Sequence, residues 1–289
     1  MNTTKRMSRI GKLFPILSVT AAVLCLAAGV AQADTYSQNF DGFADGTTGT
    51  ALGDGSEIGS TGTAAQVQGN RLRLTDTATT STRASFRIPA LASSSLGWTA
   101  TFDFTITDAV GGNPPADGFS FNYGAIPART GAGAGVTQDG GAEGGWNGGI
   151  QHISFEVDTW RNGDVEQGVN IGVNNSGHPG PAFTNGQILP DDGTVNGTAT
   201  ISWDPALGAS FSTTGLDTNA NFTNIATPGF TGDDAYVFAF SARTGGATED
   251  LFIDNIVIIT TIPEPTSMVL VLLGLLGLVG CARRRRGRK

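Results

Sequence analysis

Glu156-Val157-Asp158-Thr159-Trp160-Arg161-Asn162 sets two carboxylates, an amide and a Trp within one short stretch of the chain. A β-strand sends alternate side chains to opposite faces. Ile153, Phe155 and Val157 are therefore expected to face a core, while Ser154, Glu156 and Asp158 share the other side. Two acids on one sheet face repel unless something positive holds them, and a bound cation is the usual remedy. The segment reads as a metal cradle beside an aromatic platform.

The elements that must carry this segment are strands. Trp98, Ala100, Phe102, Phe104 and Ile106 alternate with Thr99, Thr101, Asp103, Thr105 and Thr107. Phe119, Phe121 and Tyr123 make a second apolar face, and Val169, Ile171 and Val173 a third. Residues 199–203, 236–240 and 251–260 continue the period of two, with Gly, Asn and Asp between runs. Helical periodicity is absent. Many short strands at close intervals predict an all-β fold, an antiparallel β-sandwich, and no repeat of fixed period points to a propeller or solenoid. The Gly-rich stretch 131–149 reads as a long surface loop.

Both ends of the 289-residue chain read as targeting segments. Lys5, Arg6, Arg9 and Lys12 precede an apolar run from Leu13 to Val30, and Ala31-Gln32-Ala33 offers the small residues a signal peptidase reads. Residues 1–33 are thus expected to be a signal peptide, outside the fold. At the other end, Pro263-Glu264-Pro265 is followed by an apolar stretch from Met268 to Ala282 and by Arg283-Arg284-Arg285-Arg286-Gly287-Arg288-Lys289. The stretch is shorter than the ~20 residues of a comfortable span, and the basic cluster favours the cytoplasmic side. Residues 262–289 resemble the PEP-CTERM sorting signal of Gram-negative bacteria. The resemblance implies a short transmembrane helix that anchors the precursor transiently in the inner membrane. It also implies recognition and cleavage by an exosortase, then delivery to the cell surface or an extracellular polysaccharide matrix.

Between the ends, residues 34–261 suffice for one domain with a sizeable core. The region between the targeting segments holds seven Arg, no Lys and 24 acidic residues, and 7 − 24 gives −17. Such a surface repels nucleic acid. Cys25 and Cys281 both lie in the targeting segments, which removes disulfides, thiol chemistry and Cys-type zinc sites from the domain.

Three separated segments resemble the L-type (legume-type) lectins. They are Ala116-Asp117-Gly118-Phe119-Ser120-Phe121, then Phe155 to Asn162 running on to Asn170-Ile171-Gly172-Val173, and Phe240-Ser241-Ala242-Arg243-Thr244-Gly245. They stand in the family's order and span most of residues 34–260. The resemblance implies a concanavalin A-like jelly roll that binds sugars with Ca²⁺. It implies that Asp117, following a cis bond to Ala116, accepts hydrogen bonds from sugar hydroxyls. Trp160 would stack on a pyranose, Asn162 would donate its amide to the sugar, and the loop Gly246-Ala247-Thr248-Glu249 would set monosaccharide preference. The calcium ligands implied are Asp158, Asn162, the Trp160 carbonyl, and either Asp164 or Glu166, with Asp164 favoured. Glu156 is a further candidate ligand. Asn170 stands where the family has a His for a transition metal, which speaks against that second site.

An enzyme of similar architecture is the rival reading. Retaining β-glucanases of this fold carry Glu-x-Asp followed closely by a second Glu, and retaining chemistry needs two carboxyls about 5–5.5 Å apart. Here Glu156 and Asp158 are followed by Trp160 and Arg161, so the acid/base is missing and no enzymatic activity is expected. A structural or adhesive matrix protein with a degenerate sugar site is the other alternative. The expected partner is a glycan or exopolysaccharide.

Overall fold

The computed structural model describes residues 33–61, 65–108, 115–127, 150–160, 167–174, 181–186, 188–189 and 194–261. Residues 1–32, with the signal peptide expected there, the stretch 131–149 read as a loop, and the sorting motif from residue 262 on lie outside them. Among the described residues the strands are β1 (Thr35–Gln38), β2 (Glu57–Thr61), β3 (Gln66–Gln68), β4 (Arg71–Thr75), β5 (Arg83–Ile88), β6 (Trp98–Asp108), β7 (Gly118–Gly124), β8 (His152–Asp158), β9 (Gly168–Val173), β10 (Ala182–Asn185), β11 (Thr194–Asp204), β12 (Gly208–Thr213), β13 (Asn221–Ile225), β14 (Val237–Arg243) and β15 (Glu249–Thr260). One 3₁₀ turn, Ser94–Leu96, precedes β6.

Two antiparallel sheets result. One runs β13-β12-β11-β6-β15-β4-β3, with β1 also on β15; the other runs β10-β9-β8-β7-β14-β5-β2. Neighbours in space are distant in sequence: β7 lies between β8 and β14, and β6 between β11 and β15. These long crossovers make the sandwich a jelly roll, as expected, within the unit Ala33–Thr261.

The period-two reading of β6 holds. Trp98, Ala100, Phe102, Phe104 and Ile106 are buried, and Thr101, Asp103, Thr105 and Thr107 are half-buried on the outer face. Trp98 reaches across to the second sheet, with ring centroids 5.8 Å from Phe121, 5.3 Å from Tyr123, 6.0 Å from Phe155 and 5.1 Å from Phe238. Phe102 meets Phe240 edge-on at 4.7 Å. Each buried aromatic contributes on the order of 1.5–3 kcal/mol from area, and edge-to-face pairs add about 0.5–1.5 kcal/mol.

The seven-stranded sheet departs from simple alternation. Ile153, Phe155 and Val157 join the core, yet Ser154, Glu156 and Asp158 are buried too. β7, β8 and β9 are covered on both faces. On β14 the two faces serve separate clusters: Phe238 and Phe240 enter the main core, while Val237 and Ala239 pack with Ile126 and Ile150. This polar but buried face brings the site together.

Candidate functional site

Three strand ends coincide at one margin of the seven-stranded sheet. In register, Gly118 at the start of β7 faces Asp158 at the end of β8 and Arg243 at the end of β14. Residues just beyond these ends, Asp117, Thr159-Trp160 and Thr244 to Ala247, are therefore delivered to one place by antiparallel pairing.

Asp117 follows a cis Ala116–Asp117 peptide bond, as the resemblance implied. Its amide donates to the Arg243 carbonyl at 3.0 Å, and its carbonyl accepts from the Thr159 amide at 3.3 Å. Arg243 Nε donates to Asp117 Oδ2 at 2.7 Å, forming a charge-assisted bond. Asp117 is 5 % exposed, so its carboxylate is held rather than trailing in solvent.

A pocket of about 510 Å³ opens beside it. Asp117, Trp160, Gly246 and Ala247, all expected at the site, line this pocket together with Arg243, Thr244 and Gly245; Ser81 and Arg83 close it from β5 and the turn before it. Its size falls within the usual range for small-molecule sites. A side chain at Gly245 would meet the Asp117 carboxylate oxygens at 3.3 and 3.4 Å, so the glycine lets backbone pass close to the acid.

Behind the pocket, Asp158 is buried, and its Oδ1 accepts the Trp160 amide at 2.9 Å. That bond folds the chain after β8 and sets the position of Trp160. Glu156 lies deeper. Ser154 Oγ donates to its Oε1 at 2.5 Å, and Asn170 Nδ2 donates to its Oε2 at 2.7 Å. Asn170, standing at the family's His position, thus binds the neighbouring carboxylate. Asn162, Asp164 and Glu166 lie outside the described residues. Among the described residues no group of three or more His, Cys, Asp or Glu gathers as a metal cluster.

The sequence reading missed two features. Thr248 and Glu249 were grouped with the specificity loop, but both are buried and neither lines the pocket. Glu249 accepts from the Gly118 amide and from Thr159 Oγ1, at 2.9 and 2.7 Å, tying β7, β8 and β15 together. Gln167 adds a second brace, donating to the Thr159 carbonyl at 2.7 Å while accepting from the Ile188 amide at 3.0 Å. The other omission was the pocket's pair of arginines. Arg243 stood inside a quoted motif, and its scarcity in so acidic a domain was the available signal.

Comparison with solved structures places the fold among the legume-type lectins. Basic winged bean lectin, solved with Tn-antigen, superposes with a TM-score of 0.57 at 20 % identity, covering 80 % of this chain and 100 % of the lectin. Peanut lectin with a nine-residue peptide gives a TM-score of 0.57 at 18 % identity, over 79 % and 98 % of the two chains. The exoplasmic/lumenal domain of VIP36, in a form bound to Ca²⁺ and Man3GlcNAc, gives 0.51 at 15 % identity over 72 % and 86 %. Residues 261–286 match the PEP-CTERM protein-sorting motif, which marks a chain sorted through its C-terminus. No curated protein matches the chain. Among the described residues no helix is long and apolar enough to cross a membrane, and the apolar stretch 268–282 lies outside them.

Proposed function

We propose that residues 34–261 form a calcium-dependent carbohydrate-binding domain, carried outward by a cleavable signal peptide and released by an exosortase to the cell surface or matrix. The observation that carries this reading is the convergence of Asp117, Trp160 and the Gly245–Ala247 backbone on one pocket at a sheet margin. A carboxylate that accepts from hydroxyls, an indole that covers an apolar ring face and an open backbone segment are what a pyranose requires. The fold supports the reading, since VIP36, which shares it, has been solved with Ca²⁺ and a glycan.

The donors near the pocket are hard oxygens, which suit Ca²⁺. Asp158, the Trp160 carbonyl, Asn162 and Asp164 are the residues we assign to it. The ion would lock the chain after β8 and so hold Trp160 and Asn162 toward the sugar. Glu156 we assign to a structural role, because Ser154 and Asn170 already engage both its oxygens. Its burial away from the pocket lining also argues against glycoside hydrolysis.

Glycan-array binding with calcium, and again after EDTA, tests the proposal. Binding to a defined sugar set that EDTA abolishes is the expected result. Absence of binding under both conditions would overturn it.

A further inference from the structure

Among the described residues, four large apolar side chains stay exposed: Leu96, Leu207, Val257 and Ile259. Singly, an exposed Leu asks for no explanation, but a gathered set marks an interaction surface. These four gather at one end of the eight-stranded sheet, where Trp98 opens β6 and pairs with Trp203 on β11 and Thr260 on β15. Val257 and Ile259 stand near the close of β15, and Leu96 ends the 3₁₀ turn before β6. Leu207 lies in the β11–β12 turn, which Asp204 Oδ1 fixes by accepting the Ala206 and Leu207 amides at 2.7 and 2.9 Å. Gly97 joins these segments. Its carbonyl accepts the Thr261 amide at 2.8 Å, and a Cβ on it would come within 3.5 Å of Asp204 Cα. The saccharide pocket lies at the opposite end, because β6 finishes at Asp108 beside Glu249, whose carboxylate binds Gly118 and Thr159. The 11 residues of β6 set the two ends roughly 33 Å apart.

Thr261, bonded to Gly97, leaves the domain from the apolar end. Six residues, 262–267, separate it from the apolar stretch that begins at Met268, a reach of about 25 Å at full extension. We propose that this end is a foot that rests on the lipid bilayer while the precursor is anchored. Leu96, Leu207, Val257 and Ile259 then lie against the headgroup region, and the pocket is directed away from the membrane. This rests on the transient anchoring read from the sorting tail and on the sugar-binding reading of the pocket, and it adds an orientation to both. Apolar area buried at the interface favours such contact, and a short tether keeps the foot at high effective concentration, so weak affinity suffices. Asp34, Asp204 and Asp234 flank the patch, accepting the Ala92, Leu207 and Ser95 amides. Their charges oppose contact with anionic lipid. The foot therefore orients the tethered domain and releases it once the tail is cut.

The test uses the full precursor, one chain per phosphatidylcholine nanodisc, with methyl-labelled Ile, Leu and Val read by NMR. Lipid carrying a nitroxide on its headgroup should erase the methyl signals of Leu96, Leu207 and Ile259. It should spare Val195 and Leu251, which stand near the pocket end, both opposite Ile106. The tether alone brings the foot near lipid, so the double variant Leu96→Ser/Leu207→Ser is the control, and it should restore much of the Ile259 signal. An Ile259 signal erased equally in the variant overturns the inference, because the tether alone would then account for the loss. Equal loss at both ends of the unaltered domain, or loss at neither, also overturns it and leaves the anchoring reading standing. Loss that appears only when two chains share a disc assigns the face to a second copy and rules out the foot. A precursor that does not insert sinks the anchoring reading and the inference together.

Discussion

Glu249 Oε1 lies 2.9 Å from the amide nitrogen of Gly118, which donates to it from 131 positions away in the chain. The same carboxylate takes the Thr159 hydroxyl on its other oxygen. One fully buried anion thus joins the residue after Asp117 to the residue after Asp158, and holds the two acids of the site in mutual register.

Replacing Glu249 separates charge from hydrogen bonding. Gln can still accept from Gly118 and can donate to Thr159 Oγ1, so Glu249→Gln should cost about 1 kcal/mol, the charge-assisted share. Glu249→Leu strands a buried amide and hydroxyl and should cost about 2–5 kcal/mol. Urea unfolding of both variants checks the order, and equal losses would mean that packing rather than bonding holds the strut.

Gly118 and Gly246 should respond in opposite ways to alanine. At Gly118 φ is +101°, and a Cβ would lie 2.0 Å from the Val157 carbonyl oxygen, so backbone must move. Gly118→Ala is expected to destabilise by roughly 3 kcal/mol or more. Gly246 has nothing within 4 Å of its virtual Cβ, and Gly246→Ala should stay within about 0.5 kcal/mol of the parent. Thermal melts distinguish the two directly.

His152 makes stability depend on pH. Burial holds its imidazole below the usual 6.5, opposed in part by the Ile150 carbonyl that its Nδ1 contacts. The folded-state value is depressed, so its contribution is whole above about pH 6.5 and is lost as pH falls through the folded value. The stability advantage of the parent over His152→Gln should therefore shrink between pH 7.5 and 5.5, about a unit either side of that value. Denaturant midpoints at the two pH values measure it.

On the outer face of the other sheet, Asp254 stands opposite Asp103 in the β15–β6 register. Burial raises its pKa, the Asn255 amide opposes that, and the charges of Asp41 and Asp103 raise it further. A raised carboxylate leaves stability intact below the ordinary 3.8 and loses it as pH climbs through the folded value. Asp254→Asn should therefore raise the thermal midpoint at pH 7, and the gain should vanish in acid. A midpoint that is unchanged at pH 7 would show that solvent screens the pair.

Much of the framework was legible. Alternation at Trp98–Ile106 named the inward residues of β6, because burial on one face imposes a period of two that local sequence must carry. The cis bond at Ala116–Asp117 and the nearness of Asp117 to Trp160 and Gly246 were what the resemblance to legume-type lectins implied, carried by three motifs in the family's order. Both faces of β8 proved buried, which the Ser154-Glu156-Asp158 face had not suggested; polar residues can be buried when partners such as Asn170 satisfy them. The strut role of Glu249 left no linear trace, since Gly118 and Thr159 have no sequence spacing that marks them as its partners.

By itself the sequence determined the strand period, the acidic composition, the C-terminal sorting motif and the chemical types gathered in the three segments, all properties of composition and local order. Only the tertiary structure decided that Arg243 meets Asp117 across 126 residues, that Arg83 stands opposite it, and that Glu249 is a brace rather than a rim residue. Antiparallel register is the physical reason. It converts positions far apart along the chain into neighbours a few ångströms apart.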